Sequence, residues 1–230
     1  NDILEKSPFP KASTYRFLQT LTNQGMLSYN EETQKYHMGI RLVRLAHSAW
    51  KQASLAPIAS SAIDKLSAQT GETIHLAQLD NGQVLYVDKR NAKSPINMFS
   101  DAGKIGPAYC TGVGKAMVAF LGEAQIEKII AQQSFYAHTA QTLTTPEQLR
   151  QDLKEIRETG ISFDREEHEP NIICIAVPIL SDNGKVLGGM SITSSTTRMS
   201  LDQLAEYASD LKATAKEVAQ LAANWQFPGS

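Results

Sequence analysis

Several stretches of this 230-residue chain carry side chains able to hold or act on another molecule. Asp164-Arg165-Glu166-Glu167-His168-Glu169 sets one histidine among carboxylates. A lone histidine with no second one at helical spacing makes a poor metal site, so a solvated or pocket-rim charge run is the better reading. Thr111-Gly112-Val113-Gly114-Lys115 stands where a loop gives way to a helix. Glycines there let backbone amides approach a ligand, and a helix N-terminus attracts anions. The stretch is no Walker loop: the glycine spacing is wrong, and Ala116 follows Lys115 where a hydroxyl belongs. A small carboxylate fits it, with close packing of the helix on a sheet as an equal alternative. Ser191 and Thr193 are two apart on a strand, so both hydroxyls point to one face and suit a polar ligand. Cys174 opens an apolar strand. Like Cys110 it has no general base nearby in sequence, which favours an inert buried thiol over a nucleophile. His75, mid-strand among apolar neighbours, reads as a satisfied, half-buried histidine.

A second kind of chemistry is carried by Lys11 to Gly25. Thr14, Phe17, Leu18 and Leu21 recur at helical spacing on one face. Arg16 and Gln19 lie opposite, with Lys11, Ser13 and Tyr15 near the leading end. A cation beside hydroxyls and an amide can donate to phosphates and read base edges. Pro8 and Pro10 precede this helix, and Gly25 is its stop. Met26 to Tyr29 reads as a strand, Asn30 to Thr33 as a turn, and Lys35 to His37 as the return. A helix followed at once by a small hairpin is the layout of a winged helix-turn-helix, whose second helix enters the major groove. Asn1 to Ser7 is then the preceding helix. A chain starting at Asn1 without methionine reads as a fragment, and a three-helix winged domain would lack its first helix here.

The elements beyond these must position the sensor-like residues. Ile40 to Gln52 has apolar residues at helical spacing and reads as a linker helix. Leu55 to Thr70 is a second helix, with Pro57 in its first turn and Gly71 as its stop. Glu72 to Leu79 and Gln83 to Lys89 form a hairpin about Asp80-Asn81-Gly82, and Ile96 to Ser100 reads as a third strand. Lys104 to Tyr109 reads as a loop. Helices follow at Gly112 to Leu121, Glu123 to Gln132 and Pro146 to Thr159, the last stopped by Gly160. Strands at Ile161 to Arg165, Cys174 to Leu180 and Lys185 to Thr193 precede one long helix, Ser200 to Asn224. Hairpins among helices predict an α+β fold with an antiparallel sheet. The expected domains are 1–39 (winged helix-turn-helix), 40–53 (linker helix) and 54–230 (effector-binding).

Composition narrows the class. The hydrophobic fraction is 42% and the charged fraction 20%, as in globular domains, and no apolar run reaches a membrane span. Net charge is −2, spread unevenly: residues 1–50 carry +2 and the remainder −4, a weak pointer to DNA contact by the first segment. Two distant cysteines form no disulfide framework and fit a reducing cytoplasm.

Read together and in order, Lys11-Ala12-Ser13-Thr14-Tyr15-Arg16-Phe17-Leu18, Gly71-Glu72-Thr73-Ile74-His75-Leu76, Thr111-Gly112-Val113-Gly114-Lys115-Ala116, and Phe163 to His168 with Cys174-Ile175-Ala176-Val177-Pro178-Ile179 and Met190-Ser191-Ile192-Thr193 resemble the IclR family of bacterial transcriptional regulators. Within it the chain is most similar to the KdgR type, which responds to keto-deoxy sugar acids. The resemblance implies a winged helix-turn-helix joined by a linker helix to a GAF-like effector-binding domain. It also implies a homodimer or homotetramer, operator DNA as partner, and a small organic acid as effector. Lys11, Ser13, Thr14, Tyr15, Arg16 and Gln19 are the expected DNA-binding residues. Met98, Gly112, Val113, Asp164, Cys174, Ser191 and Thr193 match the family's effector positions. One departure is Glu169-Pro170-Asn171-Ile172, where the family has a glycine; asparagine tolerates the left-handed turn better than most residues. The expectation is a cytoplasmic regulator, a repressor, with no enzymatic activity, cofactor or metal. The competing readings are a cleft enzyme using Cys174 and a sensor module acting through a protein partner.

Overall fold

Pro10 stands at the N-cap of α2 (Lys11–Asn23), and the chain turns into it from α1 (Asp2–Lys6) through Ser7 to Pro10. A computed structural model describes residues 2–223. The chain divides into two compact units between Ala53 and Ser54.

In the first unit α2 is capped by Gln24, and the chain leaves it at Gly25, whose φ of 66° only glycine adopts freely. The wing follows as β1 (Leu27–Asn30) and β2 (Lys35–Met38), antiparallel, with Tyr29 opposite Tyr36 and their rings 4.9 Å apart. Gly39 then admits the chain to α3 (Ile40–Ala53), since a Cβ there would lie 2.8 Å from the Met26 carbonyl carbon.

The second unit is built on a six-stranded antiparallel sheet. Its strands are β3 (Thr73–Asp80), β4 (Gln83–Arg90), β5 (Ile105–Pro107), β6 (Ser162–Arg165), β7 (Ile172–Leu180) and β8 (Val186–Ser195), in the order β5-β4-β3-β8-β7-β6. Helices cover both faces. On one lie α4 (Ala56–Thr70), α8 (Leu201–Ala205) and α9 (Ala208–Leu221), packed on Ile74, Leu76, Ile173, Ile175, Val177, Met190 and Ile192. On the other lie α5 (Gly112–Val118), α6 (Glu123–Gln132) and α7 (Pro146–Thr159), whose core includes Ala77, Val113, Met117, Leu149, Leu153 and Ala176. Two covered faces explain why β7 is apolar almost throughout rather than alternating.

Three expectations are corrected. Ile96 to Ser100 is not a strand: the sheet edge beyond β4 is taken by β5, so residues 91–104 instead cross as a loop. Lys89 Nζ holds that loop through the Ser100 carbonyl at 2.9 Å, and Arg198 through the Ser94 carbonyl at 3.0 Å. Lys104 to Tyr109, expected as a loop, contains β5, which ends on Pro107 where an edge strand tolerates proline. The long final helix is two helices, broken at Glu206-Tyr207 so that Leu204 and Leu211 are both fully buried. Its expected end at Asn224 lies outside the described residues.

Candidate functional site

Strand pairing assembles the site. On β8, Ile192 faces the α4/α9 core, so Ser191 and Thr193 face the α5 side. Register sets Ser191 opposite His75 and Ala176, and Thr193 opposite Thr73 and Cys174, which in turn pairs with Asp164. Cross-strand neighbours share a face. One side of the sheet therefore carries Asp164, Cys174, Thr193, Ser191 and His75 together. The N-terminus of α5 closes over them. A Cβ at Gly112 would overlap the Cys174 sulfur, and one at Gly114 would lie 2.6 Å from the Ala108 carbonyl oxygen. Close packing thus demands both glycines, and that packing brings Gly112 and Val113 to the wall of a cavity.

The cavity encloses about 390 Å³, counting its mouth. The part open to the centre of a water-sized sphere is only about 30 Å³, room for a water or two as it stands. Of the residues matched by resemblance, Gly112, Val113, Asp164, Cys174, Ser191 and Thr193 line it. Met98 does not: it sits half-buried in the 91–104 loop, and Ser100 of that loop reaches the wall instead. His75, Ser100, Tyr86, Thr111 and Ile172 were not expected among the lining residues, while His168 and Glu169 stand where the pocket-rim reading of the acidic run had them. His75 is 2% exposed rather than half-buried. Its Nδ1 lies 3.2 Å from Thr193 Oγ1 and 3.4 Å from Ser191 Oγ, and its Nε2 lies 2.9 Å from Ser100 Oγ. Burial, aided by Lys89, lowers its pKa to about 3, so the imidazole is neutral near pH 7. It acts as a fixed dipole that orients both hydroxyls. The sequence signal was the alternation of Thr73 and His75 with Ile74 and Leu76.

The acidic run is largely not solvated. Asp164 and Glu167 are buried, and His168 and Glu169 line the cavity rim. Asn171 takes φ 63°, the left-handed turn expected of it. Glu167 receives Lys115 Nζ at 2.6 and 2.7 Å, and Asp152 of α7 lies 2.9 Å from the same ammonium. Lys115 is wholly buried; burial opposes its charge, but the two carboxylates outweigh that and raise its pKa. Asp164 accepts the Glu167 N–H at 2.8 Å. Burial, then repulsion by Glu167, raises its carboxyl to about 7. The Cys174 thiol is pushed well up by burial and stays protonated, which removes it as a nucleophile. Among the described residues, no cluster of His, Cys, Asp and Glu is placed to hold a metal ion.

The raised Asp164 gives a pH prediction. The folded state holds its proton more tightly than the unfolded chain, so this contribution to stability is full below about pH 4 and is lost as pH rises through about 7. Asp164→Asn keeps an acceptor for the Glu167 N–H and does not titrate. Urea unfolding should show wild type losing about 2 kcal/mol relative to the variant between about pH 5 and pH 8. Parallel pH profiles would show that the Asp164 carboxyl is not perturbed.

In the first unit Thr14 is corrected. It is 5% exposed, and its hydroxyl meets Ser7 Oγ at 2.9 Å and the Pro10 carbonyl at 3.3 Å, so it braces the turn and is not available to DNA. Lys11, Tyr15, Arg16 and Gln19 are exposed, and Ser13 is half-buried. The apolar face is also narrower than expected: Leu18 is buried, whereas Phe17, packed edge-on against Phe9 at 5.3 Å, is 51% exposed.

A winged helix-turn-helix unit and an α+β unit with a buried polar cavity, carried on one chain, define a class of two-unit transcriptional regulators. Residues 47–220 match the family model described as bacterial transcriptional regulator IclR C-terminal, and the chain belongs to the IclR family of transcriptional regulators. It is 31% identical over 227 residues to the HTH-type transcriptional regulator KdgR of Dickeya chrysanthemi, covering 99% of this chain and 74% of the relative. KdgR of Escherichia coli K12 is 32% identical over 217 residues, covering 94% and 82%. The crystal structure of Thermotoga maritima IclR superposes with a TM-score of 0.77 at 27% identity, over 96% of this chain and 90% of that one. The C-terminal domain of E. coli KdgR gives 0.67 at 31%, over 74% and 98%. The relatives are transcriptional regulators, and this chain is a regulator rather than an enzyme. Among the described residues no helix is long and apolar enough to cross a membrane.

Proposed function

We propose that this protein is a cytoplasmic repressor that binds operator DNA through residues 1–39 and senses a small organic acid in residues 54–230. Residues 40–53 link the two. The supporting observation is the buried polar cavity, with the Ser191–Thr193 hydroxyl pair on one side and the glycine-led start of α5 on the other. The helix start offers amides and the positive end of a dipole to a carboxylate. The hydroxyls and Asp164 suit the oxygens of a polyol or hydrated ketone. Similarity to KdgR proteins favours a sugar-derived keto acid such as 2-keto-3-deoxygluconate, with pyruvate and glyoxylate as the shorter competitors. In a thermal-shift screen a ligand near 100 times its Kd should raise the melting temperature by about 5–10 °C. The shift should vanish in Ser191→Ala/Thr193→Val. An equal shift in both proteins would place the site elsewhere, and no shift with any acid would end the acid-effector reading.

A symmetric oligomer is part of this proposal. Ile40 and Val43, one turn apart on α3, are 82% and 63% exposed, apolar surface suited to a second copy about a two-fold axis. Light scattering should show no stable monomer at micromolar concentration, and the operator should be an approximate palindrome. A monomer that binds its operator tightly would contradict this.

A further inference from the structure

The cavity wall holds two carboxylates, Asp164 and Glu169, and neither lysine nor arginine. The nearby cations are committed elsewhere. Lys115 Nζ serves Glu167, Asp152 and the Phe163 carbonyl, and Lys89 Nζ donates to the Ser100 carbonyl. Glu169 is bound by the Phe99 N–H at 2.9 Å; His168, that bond and Lys104, whose Nζ lies over the Phe99 ring, outweigh its burial and hold its pKa down, so it stays ionised. A small acid is itself ionised near neutral pH. It would enter a low-dielectric space already negative, and amides at the helix start carry no net charge to offset it. Two carboxyl groups in such a place share one proton rather than both ionise.

We propose that the cavity takes its acid effector together with one proton, which sits on Asp164 and hydrogen-bonds it to the effector carboxylate. This rests on the reading of the cavity as an acid site. The step is an association of protein, carboxylate and one solvent proton, and no covalent bond is made or broken beyond the O–H on Asp164. Asp164 is placed for it: its Oδ1 accepts the Glu167 N–H, leaving the other oxygen for the proton. Burial and Glu167 prevail over the groups around it that favour the charged form, Lys115, the Glu167 N–H and His168. Tyr86 from β4 and Cys174 from β7 are neutral through burial, as is His75 from β3. Burial is the largest effect on Asp164, and Glu167 repels its charge more than Lys115 attracts it. A free carboxyl that titrates near neutrality is then ready to take the proton when a second carboxylate arrives.

Calorimetric titration of the full chain with pyruvate and with 2-keto-3-deoxygluconate tests this. Each titration is run at about pH 6, 7.5 and 8.5, in two buffers of different ionisation enthalpy, which counts protons taken up. Uptake should be near zero at the lowest pH and approach one proton at the highest, with affinity falling roughly tenfold per pH unit above about 7.5. Asp164→Asn should bind with flat affinity and no uptake, while His168→Gln should keep the uptake. A bound acid with no uptake in wild type overturns the proposal while leaving the acid-effector reading intact, and needs no variant to fold. Uptake that persists in Asp164→Asn overturns it as well. If neither acid binds at any pH, the acid-effector reading fails first and this inference falls with it.

Discussion

Replacing Lys115 with methionine should cost the second unit about 3–5 kcal/mol, enough to threaten folding near 37 °C. The side chain is wholly buried, and removing its ammonium leaves Glu167 and Asp152 facing each other without a cation. Those carboxylates stand on different elements, one in the loop after β6 and one on α7, so the loss loosens the wall that carries Asp164. Combining Lys115→Met with Glu167→Gln should recover part of the stability, because the double variant buries less uncompensated charge. Denaturant unfolding of the three proteins measures both effects. A Lys115→Met protein as stable as wild type would mean that the ion pair contributes nothing to the fold.

The second large effect is expected at Arg16. It projects from the exposed face of α2, beside Gln19 and behind Lys11 and Tyr15. A bidentate contact to a guanine edge is worth about 1–3 kcal/mol, so Arg16→Ala should weaken operator binding roughly 5- to 150-fold and relax one base position. Lys11→Ala should instead weaken all sequences alike and lower the salt slope by about one. Thr14→Ala, by contrast, should disturb the turn and change stability rather than specificity, given its bonds to Ser7 and Pro10. Operator and non-operator duplexes in one buffer, with circular dichroism as the fold control, separate these outcomes. Unchanged operator affinity in a folded Arg16→Ala protein would end the base-reading role.

What the amino-acid order determined by itself is what neighbouring residues decide among themselves. Gly71 and Gly160 stop their helices at φ 70° and 71°, and Asn81-Gly82 turns β3 into β4 at φ 49° and 81°, because few other residues accept those angles. Helical spacing likewise marked α2 and α3, whose apolar residues repeat within a few positions. The exceptions were also local in kind. Thr14 repeats with the apolar face, and its place in the motif could not reveal a hydroxyl consumed by Pro10. Residues 206–207 are compatible with helix, so periodicity ran through the break before α9.

The tertiary structure alone decided the site's interior. His75 meets Thr193 across 118 residues, and Lys115 meets Glu167 across 52. Nothing near either residue announces the partner. Local sequence gives the lysine after Gly-Val-Gly no partner and leaves the strand histidine half-buried. Only strand register puts His75 beside two hydroxyls, and only the descent of α5 onto β6 and β7, through Gly112, buries Lys115 among carboxylates. Side-chain alternation says which residues share a face of one strand, but which strands adjoin is settled by packing of the whole sheet between its two helical layers. That packing removes water from Asp164 and supplies its charged neighbours, and so decides its protonation.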